Sequence, residues 1–254
     1  LKILQVWEWA GIASIYSKYF RGLGHDCDVL KSMDKFGFLG FYEQPFWKGD
    51  VNTDALDLAE KYDVVHIHSR VTLPAQMRKR YPDKKIIHHY HGSEARGGGG
   101  NIDLVEQACD HVFVSTADLI HYVPKAEYLP NIVDRDHFKE QVLGSGMVAI
   151  ANDGSAALRT RRITQNLKLD CMVLDRNEAV IPYKNMPTFL KKFDTYVDIK
   201  YHAGQIVYEL STTALQALSM GLNVLQANGN MIYDFPKKHD PKRIIDRLLE
   251  VYTK

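Results

Sequence analysis

Short runs of β-branched and apolar residues alternate along this chain with stretches whose apolar positions recur every three or four residues. The short runs predict strands at Lys2–Trp7, Asp63–His68, Lys85–Tyr90 and His111–Ser115, and a second series at Met147–Asn152, Cys171–Leu174, Tyr196–Lys200 and Asn223–Gln226. Between them the helical spacing predicts helices at Ile12–Gly22, Thr53–Lys61, Leu73–Arg80, Ile102–Ala108 and Ala117–Val123. Later ones fall at Ser155–Leu167, Pro187–Phe193, Ser211–Met220 and Pro241–Tyr252. Strands alternating with helices argue for βαβ units, parallel sheets and right-handed crossovers with helices on both faces. The expected class is α/β, in two domains over residues 1–140 and 145–254. The seam is placed at Phe138–Met147, where Gly144-Ser145-Gly146 precedes the restart of the strand series.

Local chemistry supports several of these boundaries. Gly22 and Gly24 can close the first helix with a left-handed residue. Ser211 can cap the following helix and Gly221 can end it. Asp240-Pro241 reads as a cap followed by proline at the first helical position.

Composition narrows the classes without choosing one. A formal net charge of +1 gives no footing for a strongly basic nucleic-acid binder. Cys27, Cys109 and Cys171 are far apart and form no CxxC pair, so neither a disulfide framework nor a thiolate zinc site is indicated. The opening residues are too short and mixed for a signal peptide, and no stretch approaches a membrane span. A cytoplasmic protein is expected, with contact at a membrane surface left open.

Several segments carry candidate chemistry. Ligands of open parallel sheets bind beyond the carboxyl ends of strands, so Gly11, following the first strand, is either a site residue or a plain strand-to-helix turn. Gly97–Gly100 reads first as a mobile loop, with a hinge or phosphate-facing backbone as the sharper reading; it does not match GxGxxG or P-loop spacing. In His88-His89-Tyr90-His91, alternation puts His89 and His91 on one face and His88 and Tyr90 on the other. No further ligand at helical spacing completes a set, which argues against metal. His91, at the strand's end beside Gly92, is better placed to meet a substrate hydroxyl or phosphate. His66 and His68 end the neighbouring strand. The first amides of the helix capped by Ser211 suit a diphosphate, with Thr212 and Thr213 as further donors. Arg159, Arg161 and Arg162 offer guanidinium forks, or simply a solvated helix face. Lys200 ends a strand on the same edge.

Taken together, Val114-Ser115-Thr116-Ala117-Asp118-Leu119 and the stretch Tyr128-Leu129-Pro130-Asn131-Ile132-Val133-Asp134-Arg135-Asp136-His137-Phe138 resemble the end of the first domain in retaining GT-B glycosyltransferases of the family 4, or group 1, type. His91-Gly92-Ser93-Glu94 resembles that family's HGS-D/E segment, and Ser211 through Val224 its donor-site helix. The resemblance spans nearly the whole chain, and the PN-x-VD turn is its most specific piece. It implies two facing Rossmann-like domains, a nucleotide-diphosphate sugar donor, and a glycan, lipid or small-molecule acceptor. It also implies retention at the anomeric carbon with no bound metal and no cofactor, a hexosyltransferase-like enzyme. Residue by residue, it implies that His91 contacts the donor sugar and that Arg161 or Arg162 binds phosphate. Ser211, Thr212 and Thr213 would hold the diphosphate, and Gln216 would face the ribose.

The departures bear on catalysis. The family usually has two glutamates eight positions apart; here Gln216 stands in place of the second, and Tyr208 stands eight before it. Glu209, one place out of register, takes the first acid's role if the turn is shifted. Asn152 or Asp153 occupies the family's first basic position in the second domain, and the long helix that returns to the first domain is expected to be absent or reduced. The alternatives to a transferase are therefore a non-catalytic nucleotide-sugar or glycan-binding protein and a nucleotide-sugar epimerase.

Overall fold

Lys2-Ile3-Leu4-Gln5-Val6 forms the first strand because its last four side chains are buried, as happens in a parallel sheet covered on both faces. The structure, a computed structural model, describes residues 1–254 except 8–9, 32–33, 45–48, 97–101, 142 and 203–204, and leaves aside the His202 side chain. The Gly97–Gly100 run therefore lies outside the described residues. The chain forms two units, Leu1–Ile132 with Lys238–Lys254, and Val133–Lys237.

In chain order the first unit contains β1 (Lys2–Val6), α1 (Ile12–Gly22), β2 (Asp26–Leu30), α2 (Phe38–Phe41), α3 (Val51–Leu58), β3 (Val64–His68), α4 (Leu73–Arg80), β4 (Lys85–Tyr90), α5 (Ser93–Arg96), α6 (Ile102–Ala108), β5 (His111–Val114) and β6 (Glu127–Tyr128). Among the described residues its sheet has the order β2-β1-β3-β4-β5-β6, parallel throughout. The order reverses between β1 and β3, which defines the unit's topological switch point. One core cluster packs Leu4, Val6, Val65, Ile67 and Ile86 against Leu73 and Met77 of α4 and Val51 and Ala55 of α3. Asp50 starts α3 by accepting the Thr53 amide at 2.9 Å, earlier than the sequence pattern implied.

The second unit contains β7 (Met147–Ala151), α7 (Gly154–Asn166), β8 (Cys171–Asp175), α8 (Met186–Leu190), β9 (Thr195–Asp198), β10 (Lys200–His202), β11 (Gln205–Val207), α9 (Thr212–Ser219), β12 (Asn223–Gln226) and β13 (Met231–Ile232). Its sheet runs β13-β12-β9-β7-β8, with β13 antiparallel at the edge, and β10 with β11 forms a separate two-stranded ribbon. Its switch point falls between β7 and β9.

The chain then returns to the first unit as α10 (Pro241–Thr253). The returning helix, expected to be absent or reduced, is a short one of 13 residues. Its docking corrects one expectation: residues 238–254 do not join the second domain. The cause is its apolar stripe. Ile244, Ile245, Leu248, Val251 and Tyr252 are buried, and Tyr252 packs on Phe20 of α1 with ring centroids 5.4 Å apart. Arg247 adds a two-pronged bond to Glu127 of β6, at 2.7 and 2.6 Å.

The units also divide earlier than the expected seam, at Ile132–Val133. Residues from 133 onward are tied into the second unit: Gln141 N donates to Met220 O, Gly144 N to Lys191 O, and Ser219 Oγ to Phe138 O. The PN-x-VD turn has a local cause, since the buried Asp134 carboxylate accepts the amides of Asp136 and His137 at 3.1 and 3.3 Å.

Candidate functional site

At the second unit's switch point, β7 pairs with β8 along its whole length but with β9 only at Met147 and Val148. The carboxyl ends of β7 and β9 thus lead into separate loops around one sheet edge. Asn152 and Asp153 follow β7, Arg176 follows β8, and Asp198 ends β9. Asp153 caps α7 through the Ala156 amide at 2.8 Å.

The N-terminus of α9 arrives at this edge. Ser211 caps it, Oγ accepting the Ala214 amide at 3.1 Å, and the Ser211 amide donates to Asp198 Oδ2 at 2.9 Å. Burial pushes the Asp198 carboxyl above its ordinary range, opposed by nearby Lys200 and by the Ser211 amide. Helix geometry leaves the other first-turn amides without intrahelical acceptors. Arg176 closes the arrangement: Nη2 donates to Thr213 Oγ1 at 2.7 Å, Nη1 to Asn152 Oδ1 at 3.3 Å, and its amide to Ala151 O at 3.0 Å. A fixed guanidinium thus stands beside the positive end of a helix dipole, which favours an anion.

Of the residues expected here, Ser211, Thr212 and Thr213 lie in the first turn of α9, and Gln216 is buried one turn further on. Lys200 opens β10 rather than ending the preceding strand, and Glu209 lies in the segment between β11 and α9, half-buried. That segment is held to the sheet by Gln226 Nε2 donating to Tyr208 O at 2.6 Å. Arg161 and Arg162 are not part of this constellation. Both are exposed on α7, and Arg161 reaches Val173 O of the edge strand β8 at 3.4 Å. Seven residues separate Gly154 from Arg161, about 10 Å along a helix axis. Arg176 is the arginine that the fold brings to this edge instead. The sign of it was its position directly after a strand of the second series, at the carboxyl edge.

In the first unit, Gly11 caps α1 with φ +80°, and a Cβ at this position would collide with the Phe38 ring. The space above Gly11 is therefore filled by protein, which fits the turn reading. His91 follows β4. Its ring Nε2 lies 2.8 Å from His68 Nδ1, and its amide donates to the Glu94 carboxylate, which also accepts Ser69 Oγ at 2.7 Å. Burial holds the His91 ring down at about 4, with the Glu94 carboxylate opposing. At this unit's switch point Arg70 lies over the Trp7 ring, 3.8 Å from its centroid.

The sequence matches no protein-family model and no curated protein. Solved structures do resemble the chain. An α-glucosyltransferase in complex with UDP and a 13-mer DNA aligns at a TM-score of 0.60 and 11% identity, over 88% of this chain and 78% of that one. The UDP-GlcNAc 2-epimerase from Methanocaldococcus jannaschii aligns at 0.54 and 12%, over 98% of both chains. The spinosyn rhamnosyltransferase SpnG aligns at 0.52 and 9%, over 100% of this chain and 92% of that one. At such identities the likeness is one of fold, and the fold is GT-B.

Proposed function

We propose that this chain is a glycosyltransferase that draws on a nucleotide-diphosphate sugar and holds the diphosphate at the N-terminus of α9. The observation that carries this reading is the Arg176 guanidinium, bonded to Thr213 Oγ1 at 2.7 Å beside the helix capped by Ser211. The guanidinium, the first-turn amides and Lys200 stabilise the charge that grows on a leaving diphosphate, so transfer needs no metal at that position. Transfer retains the anomeric configuration, in the manner of the family 4 resemblance. The acceptor is a glycan, lipid or small molecule, brought to a cytoplasmic protein. His91 supports transfer through the ring nitrogen that His68 does not engage, and Glu209 supplies the acid displaced from its usual register.

The test begins with calorimetric titration of UDP, GDP, ADP and TDP. One of them is expected to bind, and Arg176→Ala to weaken it by about 10- to 150-fold, the worth of a charge-assisted hydrogen bond of about 1.5–3 kcal/mol. The double variant Arg161→Ala, Arg162→Ala should keep the affinity. Unchanged affinity in Arg176→Ala removes the site. Sugar transfer to an acceptor panel then separates the readings: conversion of the donor with no acceptor present marks an epimerase, and binding without turnover marks a carrier.

A further inference from the structure

We propose that His66, His68 and His89 form a buried binding site for one divalent first-row transition ion, zinc being the natural occupant. The site is independent of the diphosphate reading, since it lies wholly within the first unit. His66 and His68 alternate along β3, and His89 lies on β4, in register with His68. All three rings are fully buried, and each offers one nitrogen within 4.8 Å of the others. The rings are nearly parallel: centroids lie 4.4 Å apart for His66 and His68, 5.6 Å for His66 and His89, and 5.7 Å for His68 and His89.

The hydrogen-bond accounting points to a missing occupant. Buried polar atoms are nearly always paired. Here His66 Nε2 has no hydrogen-bond partner among the described residues, and neither does the Tyr16 hydroxyl of α1, whose ring stacks over His66 at 6.0 Å; the His89 ring is approached only by the Leu129 backbone, outside good hydrogen-bond geometry. Three adjacent imidazoles in a dry core are otherwise a net cost of desolvation.

The surroundings match what ligating histidines require. A metal-bound imidazole donates its second N–H to a fixed acceptor, which sets tautomer and ring orientation. Gln5 Oε1 can only accept, so His68 Nε2, 2.9 Å away, carries the proton and Nδ1 carries the lone pair. His66 Nδ1 lies 2.6 Å from the Tyr252 hydroxyl, which leaves Nε2 for a ligand. Gln5 Nε2 in turn reaches Tyr252 at 3.4 Å, so one amide from β1 and one phenol from α10 orient both rings. Three imidazoles suit zinc, with bonds of about 2.0–2.1 Å and ligand atoms about 3.3 Å apart. The ligand atoms, now within 4.8 Å of one another, therefore have to close by up to about 1.5 Å when the site loads. His68 Nδ1 now accepts a hydrogen bond from His91 Nε2 at 2.8 Å, so His91 must give up that bond when the ion takes the lone pair, which leaves it beside the fourth position. The ion would cross-link β3 to β4 and, through Tyr252, fix α10.

The test uses the full chain stripped with a chelator, with folding checked by circular dichroism. Co²⁺ alone is added and followed by visible absorption, and Zn²⁺ alone then competes. The expected result is one equivalent of Co²⁺ with the intense bands of low-coordinate cobalt, displaced by Zn²⁺, and a higher melting temperature with either ion. His89→Gln should lower Zn²⁺ affinity by roughly 100-fold or more, and Gln5→Leu, which removes only an orienting bond, by about 10- to 100-fold. His88→Gln, equally buried on the opposite face of β4, should leave it unchanged. A folded wild-type chain that gives no such spectrum overturns the site. A spectrum of unchanged affinity in folded His89→Gln overturns it also, assigning the ion to surface histidines. If His89→Gln does not fold, unchanged affinity in Gln5→Leu does the same.

Discussion

Arg176 and Gly11 show two different ways in which a residue's meaning depends on its neighbours. Arg176 follows a strand whose register was plain in the sequence, yet nothing local marks it: its importance comes from Thr213 and Asn152, which the fold brings to it from 37 and 24 residues away. Gly11, by contrast, was legible as special but ambiguous, and Phe38 decides it. Gly11→Ala forces a Cβ into a left-handed backbone, about 1–2 kcal/mol, and into the Phe38 ring. Overpacking adds about 1–3 kcal/mol. In Phe38→Ala the same substitution should cost only the backbone part, so a double-mutant cycle in urea is expected to show coupling of about 1 kcal/mol or more. Additive effects would mean that Phe38 does not fill this space. On the proposed role of His91, His91→Ala should lower kcat while leaving nucleotide affinity nearly intact, as expected for a bond made only in the transition state. Normal kcat with a reduced melting temperature would instead make it a packed strand-end residue.

At the scale of elements, caps and closures were readable because each is local chemistry. Ser211, Asp240 and Gly221 stand where a side-chain acceptor or a left-handed residue was expected. The misses share a different cause. The strand β2, Asp26-Cys27-Asp28-Val29-Leu30, hides its alternation behind two aspartates, and β6 has only two residues. Both are recognised only beside partners already in place. The predicted helix at Ala117–Val123 is a 3₁₀ turn at Ala117–His121. The docking of α10 likewise depends on a distant partner, Glu127. Its carboxyl lies below the ordinary range because the Arg247 guanidinium grips it, with burial opposing and His111 assisting. A lowered carboxyl contributes stability above its unfolded value and loses it as pH falls through the folded value. Both groups are about one-third exposed, so the contribution is about 1 kcal/mol. Glu127→Gln should therefore lower the melting temperature by a few degrees at pH 7, and the gap from wild type should close as pH drops below about 4. A gap independent of pH would mean that packing alone docks the helix.

For the whole molecule, the decisive feature is that the chain leaves its first unit once and comes back. The sequence presents this as two strand series in succession, which reads as two consecutive domains; only the contacts of the last seventeen residues reveal the return. No helix among the described residues is long and apolar enough to cross a membrane. The apolar stripe of α10 is covered within the first unit. The departure and the return are fastened together on that unit's side. Asn131, two residues before the second unit begins, accepts a hydrogen bond at 2.7 Å from Nδ1 of His239, which follows the second unit's last residue by two. Burial pushes the His239 ring down to about 4, with the Asn131 carbonyl pulling the other way and Lys238 reinforcing the fall. A histidine lowered in this way is neutral when folded, while the unfolded chain takes up a proton below about 6.5. Stability from this group is therefore complete above pH 6.5 and declines by roughly 1.4 kcal/mol per pH unit as pH falls towards 4. His239→Asn keeps an N–H donor and removes the titration. It should flatten the part of the acid stability loss between pH 6.5 and 4 that belongs to this group, measured as urea midpoints for the variant and wild type. His239→Ala should lower stability at pH 7.5, read from the urea midpoint, by about 1 kcal/mol for the lost bond and more for the orphaned carbonyl. Parallel pH curves for wild type and His239→Asn would show that the return crossing does not depend on a neutral imidazole at this position.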